Sequence, residues 1–366
     1  MSDAAHMAHA LALGRRGLGR VWPNPAVGCV IVAGGRVVGR GWTQEGGRPH
    51  AETVALAQAG AAARGATAYV SLEPCAHYGR TPPCAEAMVA AGVARVVTAL
   101  EDPDPRVAGR GHAILREAGI EVVTGVRAAE ARRDQAGFLS RVLRQRPMVT
   151  LKLATTLDGR IATASGESRW ITGPDARRTV HAMRLSHDAV LIGGGTARAD
   201  DPRLTVRGMG ADRQPVRVIA ARKLDLPSEG DLAASVGEGP LWLLHGSEAR
   251  DDRIAAWTDL GATCVEVPVA GGYLDAGYLL QVLAERGITR VFCEGGGSFA
   301  ASLLQVGLVD RLVSFGAGRV LGAEGWPAVG ALGVDALSAA PRFALVETRR
   351  IGADTMSVWE PSAKQG

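Results

Sequence analysis

The chain has 366 residues, 47% of them hydrophobic, enough apolar material to fill a core in each of two ordinary domains. Its net charge of +4 arises from Lys and Arg interleaved with Asp and Glu along the whole length, which suits small anionic ligands such as phosphates better than nucleic acid, whose binders carry a concentrated basic stripe. No stretch approaches the roughly 18 to 20 consecutive apolar residues of a membrane span, and five cysteines spread over a long chain argue against a disulfide framework and for a reducing compartment, the cytoplasm.

The opening segment holds His6, His9, Arg15 and Arg16 among Ala and Leu and reads as a first helix, not as a secretory leader. "VGCVIVA" (27–33) and "RVVGRGW" (36–42) flank Gly34-Gly35, the two-residue connection of a hairpin. A helix follows over "AETVALAQAGAAAR", then a strand over "ATAYVSLE" (66–73), a helix after Pro82-Pro83, a strand over "ARVVTAL", a helix near 109–118 and "IEVVTG". An opening hairpin followed by alternating strands and helices predicts a three-layer α/β domain with a mixed or parallel sheet. Residues 127–146 read as one charged helix ended by Pro147, the linking element. Beyond it "MVTLKLATT", "DAVLIGGG", "PVRVIAA", "PLWLLHG", "ATCVEVPV", "TRVFCEGGG" and "DRLVSFGAG" alternate with helical patterns, and "FALVETRRIG" with "DTMSVWE" predicts a terminal antiparallel hairpin. Two α/β domains are expected, 1–145 and 146–366.

His50, Cys75 and Cys84 offer one imidazole and two thiols, the donor set of a zinc site that keeps a fourth position for water. Helix N-termini favour the thiolate form of both cysteines. Glu52, two residues past His50, is near enough to share the cavity without touching the metal, and there it can take a proton from water and return it to a departing amine. Zinc deaminases carry H-x-E followed by P-C-x-x-C, with the glutamate not a ligand. Here the second cysteine comes nine residues after the first, so that "AHYGRTPP" loops out beside the site. His77 and Arg80 lie in that loop, His77 as either a solvated residue or a substrate contact at the rim. Asn24, bracketed by prolines in "WPNPAVG", either enters the hairpin or presents its amide to a heterocycle. Cys29, Cys264 and Cys293 sit in apolar strands and read as core.

In the second half "LIGGGT" and "FCEGGGS" each end an apolar strand in glycines, the second opening a helix, so that backbone N–H groups face a phosphate. Neither is a G-x-G-x-x-G fingerprint; each alone is equally a tight turn. Arg184, Arg203 and Arg207 stand nearby, and the forks in "DDPRLTVR" suit a terminal phosphate monoester. Lys152, on an otherwise apolar strand, costs several kcal/mol unless paired and is assigned to the substrate's sugar. Asp200 and Glu294 are candidates for proton transfer or for holding ribose hydroxyls. Asp158-Gly159 is either no more than a hairpin turn or part of the site.

"PNPAVGCVIV", "HAE", "SLEPCAHYGRTPPC", "DPDPRVAGRG", "KLATTLDGRIAT" and "CEGGGSFAASLL", taken together and in this order, resemble the bifunctional riboflavin-biosynthesis deaminase/reductase family over nearly the whole chain. The resemblance implies a cytidine deaminase-like domain followed by a dihydrofolate reductase-like domain. It implies zinc-dependent deamination of 2,5-diamino-6-(5-phosphoribosylamino)pyrimidin-4(3H)-one, then NADPH-dependent reduction of the ribosyl chain to ribityl. His50, Cys75 and Cys84 match the zinc ligands and Glu52 the proton carrier. Ala154, Trp170, Thr196, Asp200, Gly295, Gly296, Gly297 and Ser298 match NADPH contacts, and Ser168, Arg184, Leu204, Arg207 and Glu294 match contacts to the pyrimidine ribose phosphate. Thr43, Asp104 and Thr156 depart from the usual His, Asn and Ser. The expected partners are small phosphorylated pyrimidines, with no nucleic acid, no membrane and a homo-oligomeric state. Two rivals are a nucleic-acid base deaminase with an appended domain and a binding module whose zinc only shapes a pocket.

Overall fold

A computed structural model describes residues 2–78 and 82–362. The chain divides into two compact units, one running to Gln145 and the other starting at Arg146.

The first unit holds strands β1 (Gly28–Ala33), β2 (Arg36–Trp42), β3 (Thr67–Val70), β4 (Arg95–Thr98) and β5 (Glu121–Val123), in the order β2-β1-β3-β4-β5. The first three are antiparallel and the last two join in parallel. Helices α1 (Asp3–Gly14) and α2 (Ala51–Ala59) cover opposite faces, as the pairing register requires. A Cβ on Gly28 would overlap the Ala10 carbonyl of α1, whereas Cβ atoms on Gly39 and Gly41 would overlap the Ala55 and Ala51 carbonyls of α2. Gly41 pairs with Cys29, the neighbour of Gly28, and successive strand residues point to opposite faces. Helices α3 (Cys84–Ala90), α4 (Arg110–Glu117), α5 (Ala128–Asp134) and α6 (Ala136–Arg144) complete the unit.

Two details differ from the sequence reading. The strand predicted over 66–73 ends at Val70; at Ser71 the amide still donates to the Gly28 carbonyl at 3.0 Å, but the Gly28 amide is taken by the Ser71 hydroxyl at 2.9 Å in place of a backbone carbonyl. The single charged helix over 127–146 is two: Gln135 is buried and its backbone leaves helical values as its side-chain amide donates to the Ala26 carbonyl at 2.8 Å.

The second unit opens with β6 (Met148–Thr156), β7 (Arg160–Ala162), α7 (Pro174–Leu185), β8 (Ala189–Gly193), α8 (Gly194–Asp200), β9 (Val216–Ala220), α9 (Asp231–Ala234), β10 (Leu241–His245), α10 (Asp251–Asp259) and β11 (Thr263–Glu266). The small hairpin β12 (Val269–Ala270) and β13 (Tyr273–Leu274), then α11 (Ala276–Glu285), β14 (Arg290–Cys293), α12 (Gly297–Gln305), β15 (Arg311–Ala317), β16 (Trp326–Pro327), β17 (Phe343–Ile351) and β18 (Asp354–Pro361) follow. The main sheet runs β11-β10-β9-β8-β14-β6-β15-β18-β17. It is parallel as far as β15, and the terminal hairpin is added antiparallel as predicted. Strands β8, β9 and β14 are buried throughout, as parallel strands covered on both faces must be. Because β14 inserts between β8 and β6, the carboxyl ends of three neighbouring strands open side by side, the crevice where open α/β sheets bind ligands. Asp158-Gly159 is a tight turn, Gly159 having φ of +74°, yet β7 pairs with β16 instead of β6.

Burial holds the His187 imidazole neutral. Its Nδ1 donates to the Met183 carbonyl at 2.7 Å and its Nε2 accepts from the Thr150 hydroxyl at 2.9 Å. Burial, with the nearby charge of Arg290, lowers its pKa from 6.5 to about 3. The unfolded chain therefore binds a proton that the folded chain refuses. This contribution to stability is complete above the unfolded value of 6.5 and is lost as pH falls toward 3. We expect urea denaturation of the parent to lose about 2 kcal/mol more than His187→Gln between pH 6.5 and 4.5.

Candidate active sites

His50 is the extended N-cap residue of α2, Cys84 is the first residue of α3, and Cys75 follows Pro74 in the irregular stretch between β3 and α3. The structure brings the three together. His50 Nδ1 lies 3.6 Å from Cys75 Sγ and 3.4 Å from Cys84 Sγ, and the Cys84 amide donates to Cys75 Sγ at 3.3 Å. Metal–donor bonds of zinc length at tetrahedral angles put donors about 3.5–3.8 Å apart, so the donors present fit the ion. The hydrogen bond from Cys84, aided by His50, pulls Cys75 down to about 4, while the same bond and burial raise Cys84. Without a cation to neutralise it, a second thiolate this close is disfavoured.

Glu52 stands in the first turn of α2, 3% exposed. Burial and the charge of Cys75 push its carboxyl up to about 7, opposed by His50 and by a hydrogen bond from Cys84. It thus faces the donor set as the sequence reading required. Asn24 packs on Gly47, where any Cβ would overlap its carboxamide. Among the described residues the buried Nδ1 of His77 has no partner, an orphaned polar atom that a ligand can satisfy. Arg80 lies outside the described residues. The Thr43 hydroxyl accepts the Val27 amide and donates to the Pro25 carbonyl, both at 3.0 Å, while Asp104 is paired with Arg106.

Sequence reasoning passed over Glu73. Its buried carboxylate accepts the amides of Asp102 (3.1 Å), Gly109 (3.0 Å) and His112 (3.2 Å), tying the Pro74-Cys75 segment to the start of α4. A carboxylate beside a proposed metal ligand in "LEPC" was the available signal; its partners, backbone amides 29 to 39 residues further on and the His112 ring at 3.8 Å, left none.

In the second unit the glycine turns after β8 and β14 lie on adjacent strands and lead into α8 and α12. The Gly296 amide donates to Thr196 Oγ1 at 3.1 Å, joining the two turns, and a Cβ at Gly195 would meet only open space. Paired helix starts of this kind, with backbone N–H groups at adjacent strand ends, fit a dinucleotide pyrophosphate. Gly295, Gly297 and Ser298 belong to the same turn, and Ala154 is on β6. Trp170 is exposed with the Arg177 guanidinium 4.7 Å from its ring centre. Arg169 donates to the Asp200 carbonyl at 2.6 Å, and Ser168 is half-buried in the same segment.

Glu294, directly after β14, accepts from Arg184 Nε at 2.6 Å and Nη2 at 3.1 Å. Burial alone would raise its pKa, but Arg184 and Lys152 outweigh it and hold the carboxyl low. Lys152 shifts down through burial and the charge of Arg184, opposed by the negative charges of Glu294 and Asp200. Leu204 is buried at φ +56°. Arg203, grouped with Arg184 and Arg207 in the sequence, is directed elsewhere: it pairs with Asp231 at 3.3 Å and Glu238 at 2.9 Å. Arg207 is exposed.

These two sites define a zinc-type deaminase unit followed by a nucleotide-cofactor reductase unit. Residues 1–100 match the cytidine and deoxycytidylate deaminase zinc-binding region and residues 147–357 the RibD C-terminal domain. The chain is 43% identical to riboflavin biosynthesis protein RibD of Escherichia coli K12, over 97% of this chain and 98% of that one, and 39% identical to RibD of Aquifex aeolicus over 96% of each. Among solved structures it is similar to Acinetobacter baumannii RibD, with a TM-score of 0.89 at 40% identity over 99% of both chains. It is also similar to a diaminohydroxyphosphoribosylaminopyrimidine deaminase/5-amino-6-(5-phosphoribosylamino)uracil reductase of Thermotoga maritima, with a TM-score of 0.86 at 33% identity over 98% and 99%. The chain belongs to the RibD family of bifunctional riboflavin-biosynthesis enzymes, with zinc and NADPH as cofactors. Among the described residues no helix is long and apolar enough to cross a membrane.

Groups that hold metal ligands in place typically change metal affinity about 10–100-fold when removed. Glu73→Ala, which strips three backbone amides of their acceptor, is expected to release zinc to a chelator about ten-fold faster than the parent, followed with a colorimetric zinc indicator.

Proposed function

We propose that His50, Cys75 and Cys84 hold the zinc of the deaminase step and that Glu52 moves its protons. The observation that carries this reading is the convergence of the three donors with a buried carboxyl against them. The step deaminates 2,5-diamino-6-(5-phosphoribosylamino)pyrimidin-4(3H)-one. Zinc, when bound, supplies the Lewis acidity that lets water add to the amino-bearing ring carbon at neutral pH. Glu52 accepts the proton from the attacking water on a carboxylate oxygen and delivers one to the departing amine nitrogen, which leaves as ammonia. Asn24 and the unpartnered Nδ1 of His77 offer hydrogen bonds to the ring edge; Arg80 is proposed as a contact from the same loop.

For the second step, reduction of 5-amino-6-(5-phosphoribosylamino)uracil, the proposed NADPH contacts are Ala154, Trp170, Thr196, Asp200 and the Gly295–Ser298 turn. NADPH, when bound, supplies the hydride for the first carbon of the ribose. Ser168, Leu204 and Arg207 serve the substrate, with Arg207 on its phosphate. Lys152, its proton loosened by burial, donates to the sugar oxygen released as the ring opens, and Glu294, fixed by Arg184, holds the ammonium in place. We place the enzyme in the cytoplasm as a homo-oligomer acting on free phosphorylated pyrimidines; all five cysteines are unbridged, consistent with a reducing compartment.

Purified protein is expected to hold about one zinc per chain. Glu52→Gln should keep the metal and lose ammonia release by at least about 100-fold, while Cys84→Ser loses both. Chelation should abolish deamination yet leave NADPH consumption with the deaminated substrate intact. Ammonia release at the parental rate from Glu52→Gln would refute the assigned role.

A further inference from the structure

The segment 204–207 belongs to no helix or strand, yet its backbone is held at three successive residues by side chains. Arg184 Nη1 donates to the Thr205 carbonyl at 2.8 Å. Gln214 accepts the Val206 amide at 2.6 Å and donates to the Val206 carbonyl at 3.2 Å. The Arg207 amide donates to His181 Nδ1 at 3.3 Å. Leu204, buried in the left-handed region, anchors the near end of the segment, a conformation that persists only where the surroundings over-determine it. So much fixing of an irregular segment makes sense if what it presents must not move, and the side chain it presents is Arg207. Among the described residues the Arg207 guanidinium has no bonded partner, in contrast to Arg203 four positions earlier.

We propose that His181 is a positioning residue for reduction: by accepting the Arg207 amide it fixes the direction of the Arg207 fork toward the substrate's phosphate monoester. This rests on the reading that Arg207 meets that phosphate. The role requires His181 Nδ1 to be unprotonated. The surroundings favour that form, because burial and the charges of Arg184 on its own helix and Arg207 on the facing segment lower its pKa, against opposition from Glu294 and from a hydrogen bond to the Thr205 backbone. Arg184 already commits three of its five N–H donors, to Glu294 through Nε and Nη2 and to Thr205 through Nη1, whereas among the described residues the Arg207 guanidinium keeps all of its own for a ligand. The fork at Arg207 therefore depends on backbone placement, and His181 supplies the last bond in that placement.

The test uses the full chain with NADPH and compares 5-amino-6-(5-phosphoribosylamino)uracil with its dephosphorylated counterpart, after thermal unfolding and NADPH titration have shown each variant folded. One lost hydrogen bond corresponds to about three- to ten-fold. His181→Ala is expected to raise KM for the phosphorylated substrate by that factor with kcat within about two-fold, and to leave KM for the dephosphorylated compound unchanged. His181→Asn, whose Oδ1 can take the place of Nδ1 as acceptor, should restore most of the affinity. Arg207→Ala should raise KM further, and adding His181→Ala to it should change nothing more. An unchanged KM in His181→Ala beside a raised KM in Arg207→Ala overturns the role of His181 alone. Equal losses on both substrates, or a failure of His181→Asn to rescue, overturn it as well. An unchanged KM in Arg207→Ala overturns the underlying phosphate reading and the proposal with it.

Discussion

Helix α2 lies on β2 at a distance that only glycine permits. The carbonyl that a Cβ on Gly41 would strike belongs to Ala51, the residue between His50 and Glu52. The close seating of this one turn therefore sets how deep both functional side chains stand. A methyl at Gly41 would lift the turn, and His50 Nδ1 could no longer stay at 3.4 and 3.6 Å from the two sulfurs while Glu52 kept its burial. Close packing transmits such displacements because the interior has little free volume to absorb them. Cys75 and Cys84 are registered to each other separately, through the Cys84 amide on Cys75 Sγ and the Ala85 amide on the Cys75 carbonyl. The sulfurs thus come as a preassembled pair and the imidazole is brought to them by the sheet.

The second unit solves a different problem, that of keeping charge beneath a ligand crevice without a metal. Glu294, Arg184 and Lys152 offset one another: the carboxylate stays ionised because two cations flank it, and the lysine tolerates burial because that carboxylate is near. Removing one member leaves an unbalanced buried charge, which costs far more than the set as a whole contributes. The same arginine reaches the Thr205 carbonyl, so the balance under the crevice and the course of the segment at its rim are mechanically one assembly.

Side-chain chemistry is legible in sequence where few residue types can perform it. His50, Glu52, Cys75 and Cys84 stood out for that reason, as did the paired glycine turns, because only glycine lets backbone amides approach so closely. The strand and helix alternation, the opening hairpin and the terminal hairpin followed from hydrophobic period and turn residues. What stayed hidden depended on partners distant in the chain. Gln135 breaks a predicted helix because it reaches Ala26, and no local pattern announces that. Glu73 is distinguished from other glutamates by three backbone amides between 102 and 112 and by the His112 ring, all remote in sequence.

Arginine is the sharpest case, and it bears on how net charge is read. Arg203 and Arg207 share one short motif and one side chain, yet the first is drawn away by Asp231 and Glu238 while the second has no bonded partner among the described residues. Elsewhere Arg15 bonds Glu130 and Asp134, Arg95 bonds Asp3 and Glu121, and Arg146 bonds Asp310, so these cations are committed to architecture. A mild positive excess summed over the chain is thus a weak guide to where an anion binds. The informative quantity is which guanidinium the fold leaves unpaired while immobilising the backbone beneath it, since a fork held in place loses little entropy when a phosphate arrives.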